Sequence, residues 1–287
     1  MEFDGLDDLR ARGGALKGPV LMLVCEDETE IASTLDHHVR AGFAAIVVAT
    51  PPGVALPPVP DVAHPLRLPE RPERMAPPCV DALIDALPEG TWIGWLHNAE
   101  YLFTPFSETR TVGEAAAFCA EERRDAVLTF VIDLYAGDLP PGGNGVDRDD
   151  AWFDATGYYA LARPGAPGTH GPKERQLDMF GGLRWRHEEH VPADRRRIDR
   201  VSLFRVRPGL RLRSDNTLTI EEMNTYACPW HHSMTCAVAS FRAAKALATN
   251  PASRAAIDGF RWAGSTRFDW RAQQLLDAGF MEPGQWF

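Results

Sequence analysis

A continuous apolar run near the start of the chain constrains the fold more than any other feature of the sequence. Residues 19–25 read Pro-Val-Leu-Met-Leu-Val-Cys, the pattern of a strand that is buried on both faces of a sheet. Asp27 and Glu30 then form a capping-box pattern, and apolar residues recur at helical spacing until Gly42. A second apolar run covers residues 43–49. The order strand, helix, strand predicts a parallel sheet with a right-handed crossover.

The rest of the first half continues this alternation after one interruption. Proline is so frequent between Pro51 and Pro78 that an extended surface loop is expected there. Beyond it, the periodicity predicts a helix over 80–87, a strand over 91–103, a helix over 111–123 and a strand over 126–135.

A segment rich in Pro and Gly, residues 137–145, leads into a more irregular second half. Helical spacing of apolar residues predicts one amphipathic helix from Met234 to Ala248. A last helix is expected between a capping Asp269 and a terminating Gly279. These patterns predict an α/β protein whose mostly parallel, Rossmann-like sheet is flanked by helices, with an irregular and helical C-terminal part.

Charge and cysteine usage narrow the functional classes. Thirty Lys and Arg against forty Asp and Glu give a net charge of −10, which argues against a nucleic-acid partner or an anionic membrane surface. The five cysteines are odd in number and lie mostly in apolar segments, as reduced thiols do. No apolar run approaches the ~20 residues of a transmembrane helix. A cytoplasmic protein without a transmembrane segment is therefore expected.

Several signatures of other chemistries are incomplete. The segment 142–145, Gly-Gly-Asn-Gly, lacks the junction and the Lys-Ser/Thr of a phosphate loop, and no Gly-x-Ser-x-Gly elbow exists. One alternative remains open, a zinc hydrolase. It would use four side chains that can bind zinc, those of Cys228, His231, His232 and Cys236.

The most informative stretch is residues 92–103, where an apolar strand delivers polar residues. The strand is followed by His97, Asn98, Ala99 and Glu100. Ligands of open α/β sheets bind at the carboxyl ends of the strands, so this sequence predicts a ligand site.

Here the chain resembles the family-two-type glycosyltransferases of the GT-A fold, in particular a bacterial branch whose corresponding strand ends in Asp-x-Asp-Glu. Further similar pieces follow in the same order over most of the chain. They include Asp27-Glu28, His37-His38, Asp133-Leu134-Tyr135, Trp152-Phe153-Asp154, Gly181-Gly182-Leu183-Arg184-x-Arg186 and Trp230-His231-His232. The resemblance implies a single GT-A-like domain over 1–287, with a nucleotide-sugar-binding half at 17–136 and an acceptor-side half with C-terminal helices at 146–287.

The departures from that pattern fall on the metal site. His97 and Ala99 stand where the family has the two aspartates that hold a divalent cation against the diphosphate of the donor. Asn216 replaces a family histidine, and the segment 49–52 lacks the aspartate that faces the nucleobase. We therefore expect no cofactor, and a divalent metal is disfavoured.

The resemblance also implies roles for individual residues. Arg184 and Arg186, with Arg211 and Arg213 as second choices, would bind the diphosphate, because guanidinium groups pair with phosphate oxygens. His97 and Asp27 would also contact the donor, Glu100 would orient hydroxyl groups, and Asp154 would be the general base. Trp152 and His232 would contact the acceptor. The expected function is sugar transfer from a nucleotide sugar to a glycan or other surface polysaccharide; the alternative is a catalytically inactive glycosyltransferase-like binding protein.

Overall fold

A large mixed β-sheet forms the centre of the computed structural model, which describes residues 1–165, 168, 171–226 and 233–286. The strands are β1 (Phe3–Asp4), β2 (Val20–Val24), β3 (Ala45–Thr50), β4 (Ala63–Arg67), β5 (Trp92–His97), β6 (Glu100–Phe103), β7 (Ala126–Ala136), β8 (Ala151–Asp154), β9 (Tyr159–Pro164), β10 (Pro172–Phe180), β11 (Asp199–Arg205), β12 (Cys236–Ser240) and β13 (Ser265–Arg267). The helices are α1 (Leu6–Arg12), α2 (Ile31–Arg40), α3 (Ala76–Ala86), α4 (Val112–Glu121), α5 (Gly182–Arg186), α6 (Arg242–Thr249), α7 (Pro251–Ala256) and α8 (Ala272–Asp277).

The strands of the main sheet are ordered β1-β4-β3-β2-β5-β11-β7-β12-β6, and β8 and β13 join through the second half of β7. All pairs from β1 to β5 are parallel, as is β7 with β12. Only β11 and β6 run antiparallel to their neighbours in this order. Strands β2, β3, β4, β5, β7 and β12 therefore end at one side of the sheet, here called the carboxyl edge. An α/β fold with a mostly parallel sheet flanked by helices is confirmed.

Two elements predicted from local patterns take a different form in the structure. The Pro-rich stretch expected to be a loop contains β4, which pairs with β3 through its whole length despite Pro65. The single helix expected from Met234 to Ala248 is instead β12 followed by α6. Buried strands and buried helix segments share such apolar runs, so periodicity alone did not separate them.

Two local predictions also fail at turns. The strand expected over 91–103 is divided at Asn98 and Ala99, and Ala99 takes a left-handed conformation with φ 59°. The expected capping box is not formed, because Glu30 makes no side-chain cap to α2. Asp27 instead accepts a hydrogen bond from the backbone N–H of Thr29 at 2.9 Å, which closes a tight turn before the helix.

Candidate functional site

The carboxyl edge gathers charged and polar side chains from segments far apart in sequence. Glu26 and Asp27 follow β2, and His97 ends β5. Ser240 ends β12, and Arg242 begins α6 directly after it. The predicted ligand site at the end of β5 thus lies beside residues from both halves of the chain.

Glu100 is the centre of a buried ion pair at this edge. Its Oε2 accepts a hydrogen bond from Arg200 Nη2 at 2.7 Å, and its Oε1 accepts one from Nη1 at 3.3 Å. The backbone N–H of His97 donates to Oε2 at 2.8 Å, and the Ser240 hydroxyl donates to Oε1 at 3.1 Å. The Arg200 guanidinium also lies 4.5 Å above the Trp95 ring. Glu100 is fully buried and Arg200 is 5% exposed, so neither faces a ligand.

The charge states at this site follow from the pairing. Burial by itself would raise the pKa of Glu100, but the adjoining Arg200 and His97 hold that pKa well below its usual range. Burial, reinforced by the positive charge of Arg242, lowers the pKa of His97. Glu100 is therefore ionised and His97 is neutral near pH 7. Arg200 supplies the positive charge that balances Glu100.

Asn98 has a structural role. Its Oδ1 accepts a hydrogen bond from the backbone N–H of Glu26, and its Nδ2 donates to Asp27 Oδ1 and to the carbonyl of Thr29, all within 2.8–2.9 Å. The side chain is completely buried. The turn between β5 and β6 therefore fixes the loop that follows β2.

Three basic side chains surround that loop. Arg242 binds both carboxylate oxygens of Glu26, at 2.7 and 2.6 Å, and Lys245 Nζ lies 2.6 Å from Asp27 Oδ2. The exposed Arg71 donates to the carbonyl of Glu26. Burial alone would raise the pKa of Glu26, but Arg242 and His97 lower it strongly. This group, Arg71, Arg242 and Lys245 around Glu26 and Asp27, is called the basic cluster below.

The two arginines predicted to bind a diphosphate each pair with a buried aspartate. Arg184 Nε donates to Asp133 Oδ1 at 3.1 Å, and Arg186 Nε donates to Asp154 Oδ2 at 2.7 Å. Burial raises the pKa of Asp133, and Arg184 opposes that rise. Both guanidinium groups are thus engaged within the protein.

The glycines before these arginines permit the close packing. At Gly181 the backbone φ is 158°, and an added Cβ would overlap the ring of Tyr158. At Gly182 φ is 64°, and an added Cβ would lie 3.0 Å from Asp133 Oδ2. The Gly-Gly pair therefore brings the start of α5 against β7.

Asp154, the predicted general base, is 1% exposed and surrounded by donors. Its Oδ1 accepts hydrogen bonds from the Tyr135 hydroxyl at 2.5 Å, Trp262 Nε1 at 2.8 Å and Arg186 Nη2 at 3.2 Å. With Arg186 Nε on Oδ2, this carboxylate accepts four hydrogen bonds within the protein. An acceptor hydroxyl would have to displace one of these groups to reach it.

The remaining predicted residues are not brought to the carboxyl edge as a set. Arg211 pairs with Asp85 at 2.7 Å, at the end of α3 opposite to the carboxyl edge, and Arg213 pairs with Glu221 at 2.8 Å. Trp152 donates from Nε1 to Asp150 at 3.0 Å. His232 lies outside the described residues.

Metal binding finds little support in this arrangement. Among the described residues, no group of three or more His, Cys, Asp or Glu side chains is placed to hold a metal ion. Both oxygens of Glu100 are already occupied by Arg200, His97 and Ser240. Of the four residues of the zinc alternative, only Cys236 lies within the described part of the chain, where its free thiol is buried in β12.

Arg200, Arg242 and Lys245 were not predicted from the sequence. Arg200 lies inside an Arg-rich stretch in which nothing local distinguishes it from its neighbours. The sequence pattern predicts Arg242 and Lys245 within one amphipathic helix, where a charged residue indicates only a solvent-exposed face. A basic residue directly after a buried strand end was the one available signal.

Comparison with known proteins adds no assignment: no protein-family model and no curated protein matches this chain. Within the part of the chain that the structure describes, no helix is both long and apolar enough to cross a membrane.

Proposed function

We propose that the chain is a glycosyltransferase-like protein of GT-A type that binds a nucleotide sugar at its carboxyl edge without a divalent metal and without transferring the sugar. The observation that carries this proposal is the buried pair between Glu100 and Arg200. A guanidinium group occupies the carboxylate that, in the family the chain resembles, belongs to the metal-binding motif. The four described cysteines are free and buried, which fits the cytoplasmic location that we propose with this function.

The basic cluster is the proposed anion site. It places three basic side chains around two carboxylates at the ends of β2 and β4 and the start of α6. Arg242 and Lys245 balance Glu26 and Asp27, so the cluster keeps one positive charge in excess, that of Arg71. A diphosphate is compact, doubly charged and rich in acceptor oxygens, which suits guanidinium and ammonium donors. The exposed Arg71, whose observed partner is a backbone carbonyl, would contact it first.

A metal-free glycosyltransferase is the second candidate. The basic cluster favours it through Arg71, whose observed partner is a backbone carbonyl rather than a carboxylate and whose charge would offset part of the charge that develops on a leaving diphosphate. That reaction also needs a general base, and Asp154 would serve only after losing an internal hydrogen bond. The buried carboxylates therefore favour binding without transfer.

Calorimetric titration of the purified chain with UDP-glucose, GDP-mannose, UDP and GDP tests the proposal. We expect at least one nucleotide to bind equally in EDTA and in Mn²⁺, and Arg71→Ala to weaken that binding about tenfold, as loss of a charge-assisted contact does. Arg67→Ala is the matched control, since Arg67 is also exposed but pairs with Glu2.

The same mixtures distinguish the two candidates. If no free UDP or GDP accumulates from the sugar nucleotide over hours, with or without added glycan, the binding protein is supported. Steady release of UDP or GDP in EDTA would instead show that the protein is a metal-free transferase. Binding that depends on Mn²⁺, or no binding of any nucleotide, would overturn both.

A further inference from the structure

A second group of polar side chains lies beside the basic cluster, around Arg148 and Glu30. Arg148 belongs to the segment between β7 and β8, and Glu30 directly precedes α2. The Trp270 ring, on which Arg148 stacks, lies 6.4 Å from the ring of Phe241, the residue directly before α6. Glu30 follows Glu26 by four residues, a span of at most about 14 Å. The pair of Arg148 and Glu30 therefore lies at the carboxyl edge, next to the basic cluster.

Two aromatic rings hold the Arg148 side chain in place. Its guanidinium carbon lies 4.7 Å from the centre of the Trp270 ring and 5.3 Å from that of the Tyr101 ring. Trp270 Nε1 also donates to the carbonyl of Arg148 at 3.0 Å. The guanidinium makes no hydrogen bond to any described residue, and its Nε is buried. Because the side chain is 34% exposed, the two Nη groups are the donors that remain open to solvent.

Glu30 provides an acceptor beside these donors. Its Oε2 accepts hydrogen bonds from the hydroxyl groups of Ser33 and Tyr101, whereas its Oε1 accepts none from the described part of the chain. Oε2 lies 3.9 Å from Arg148 Nε, which is too far for a hydrogen bond. The Glu30 side chain is 29% exposed, so a ligand can reach it as well. Unused donors and an unused acceptor thus lie side by side.

The charges of this pair select the kind of ligand. Among the described residues, neither Arg148 nor Glu30 has another ion-pair partner within 4 Å, so the two charges cancel and favour a neutral ligand. A hydroxyl group both donates and accepts, and adjacent hydroxyls of a sugar ring match a donor beside an acceptor. We propose that Arg148 and Glu30 bind the sugar of the nucleotide sugar, and that this sugar is neutral with free adjacent hydroxyl groups. This inference rests on the proposed function, in which the basic cluster holds the diphosphate attached to that sugar.

Calorimetry of the full chain in EDTA with UDP, UDP-glucose and UDP-glucuronate tests this inference; GDP, GDP-mannose and GDP-mannuronate are the matching set if guanosine is the base that binds. Wild type should bind the neutral sugar nucleotide more tightly than the uronate, whose carboxylate would face Glu30. Arg148→Met keeps an apolar stem between the two rings. It should weaken UDP-glucose binding about tenfold, as loss of a charge-assisted hydrogen bond does, and UDP binding less than about twofold. Arg40→Met, at the exposed far end of α2, is the matched control and should change neither affinity.

Glu30→Gln gives a result that a loss of folding cannot imitate. The amide still accepts hydrogen bonds but leaves the charge of Arg148 unbalanced, so this variant should bind UDP-glucuronate more tightly than UDP-glucose. Melting curves of both variants establish that they are folded at the temperature of the titration. Three results would overturn the inference and leave the proposed function standing: Arg148→Met weakens UDP as much as UDP-glucose, it weakens neither, or Glu30→Gln does not reverse the preference. Absence of binding of every nucleotide to wild type would overturn both.

Discussion

Glu100 and Arg200 form a bidentate ion pair that connects β6, at the border of the main sheet, with β11 in its interior. The pair is buried and also receives His97, Ser240 and Ser202 as hydrogen-bonding neighbours. Burying two charges costs their hydration. This cost is offset only when the two charges are in close contact and their remaining donors and acceptors are hydrogen-bonded. The pair therefore holds β6 in place after the sharp turn at Ala99.

Breaking this pair should destabilise the protein strongly. In Arg200→Met the Glu100 carboxylate stays buried without its cation, and the expected loss in the free energy of unfolding is about 3–5 kcal/mol. The double variant Glu100→Leu/Arg200→Met should recover most of that loss, since no buried charge remains. Urea denaturation at pH 7 measures both.

A surface pair provides the control for this experiment. Arg207 is exposed and lies 3.8 Å from Glu89 and 3.4 Å from Asp125, so Arg207→Ala should change the unfolding free energy by less than about 1 kcal/mol. A loss of that small size in Arg200→Met would show that the Glu100 pair is not structural.

Histidine burial should make the protein less stable in mild acid. His37 donates from Nε2 to the carbonyl of Leu102 at 2.8 Å, and burial lowers its pKa to about 4 despite that bond. The unfolded chain takes up the proton near pH 6.5, whereas the folded chain does not. Stability is therefore complete above pH 6.5 and falls as the pH drops towards the folded-state pKa.

His37→Gln isolates this effect because the amide retains an N–H donor. Between pH 7 and pH 5 the variant should lose about 1–2 kcal/mol less unfolding free energy than wild type. Between pH 7 and pH 8 the two curves should run parallel, which serves as the internal control. Identical slopes below pH 6.5 would contradict the lowered pKa of His37.

The glycine pair before α5 gives a steric prediction. Gly181→Ala should destabilise the protein by about 2–4 kcal/mol, because the new Cβ meets the Tyr158 ring and the backbone φ is unfavourable. Gly53→Ala is the matched control. Gly53 has φ 85° with no atom near its Cβ position, so only the backbone cost of about 1 kcal/mol remains. Equal effects in urea denaturation would disprove the Tyr158 contact.

The strands and helices that depend on short-range sequence patterns could be predicted from the sequence. The apolar runs at Val20–Val24 and Ala45–Thr50 show strand character within a few residues, and the parallel order of these strands follows from the helix between them. The partners of Glu100 could not be predicted in this way. Arg200 and Ser240 are 100 and 140 residues distant in sequence, and only the order of strands brings them together. The family pattern pointed to the carboxyl edge of the sheet, and the charges at that edge are balanced by residues outside the pattern.

Asp154 provides the sharpest test of catalysis against structure. If Asp154 is a general base, Asp154→Asn should abolish turnover while the fold stays intact. If Asp154 is the centre of an internal hydrogen-bond network, the variant should be less stable than wild type. We expect the variant to lose about 2 kcal/mol or more of unfolding free energy, because one amide cannot accept from Arg186, Tyr135 and Trp262 together. Asp150→Asn, at a more exposed carboxylate that accepts from Trp152, is the control and should lose less than about 1 kcal/mol.

Nucleotide affinity measured by calorimetry should be the same in wild type and in Asp154→Asn at temperatures where both are folded. If Asp154→Asn were instead as stable as wild type and abolished release of the nucleotide from its sugar, Asp154 would be the base of a working transferase.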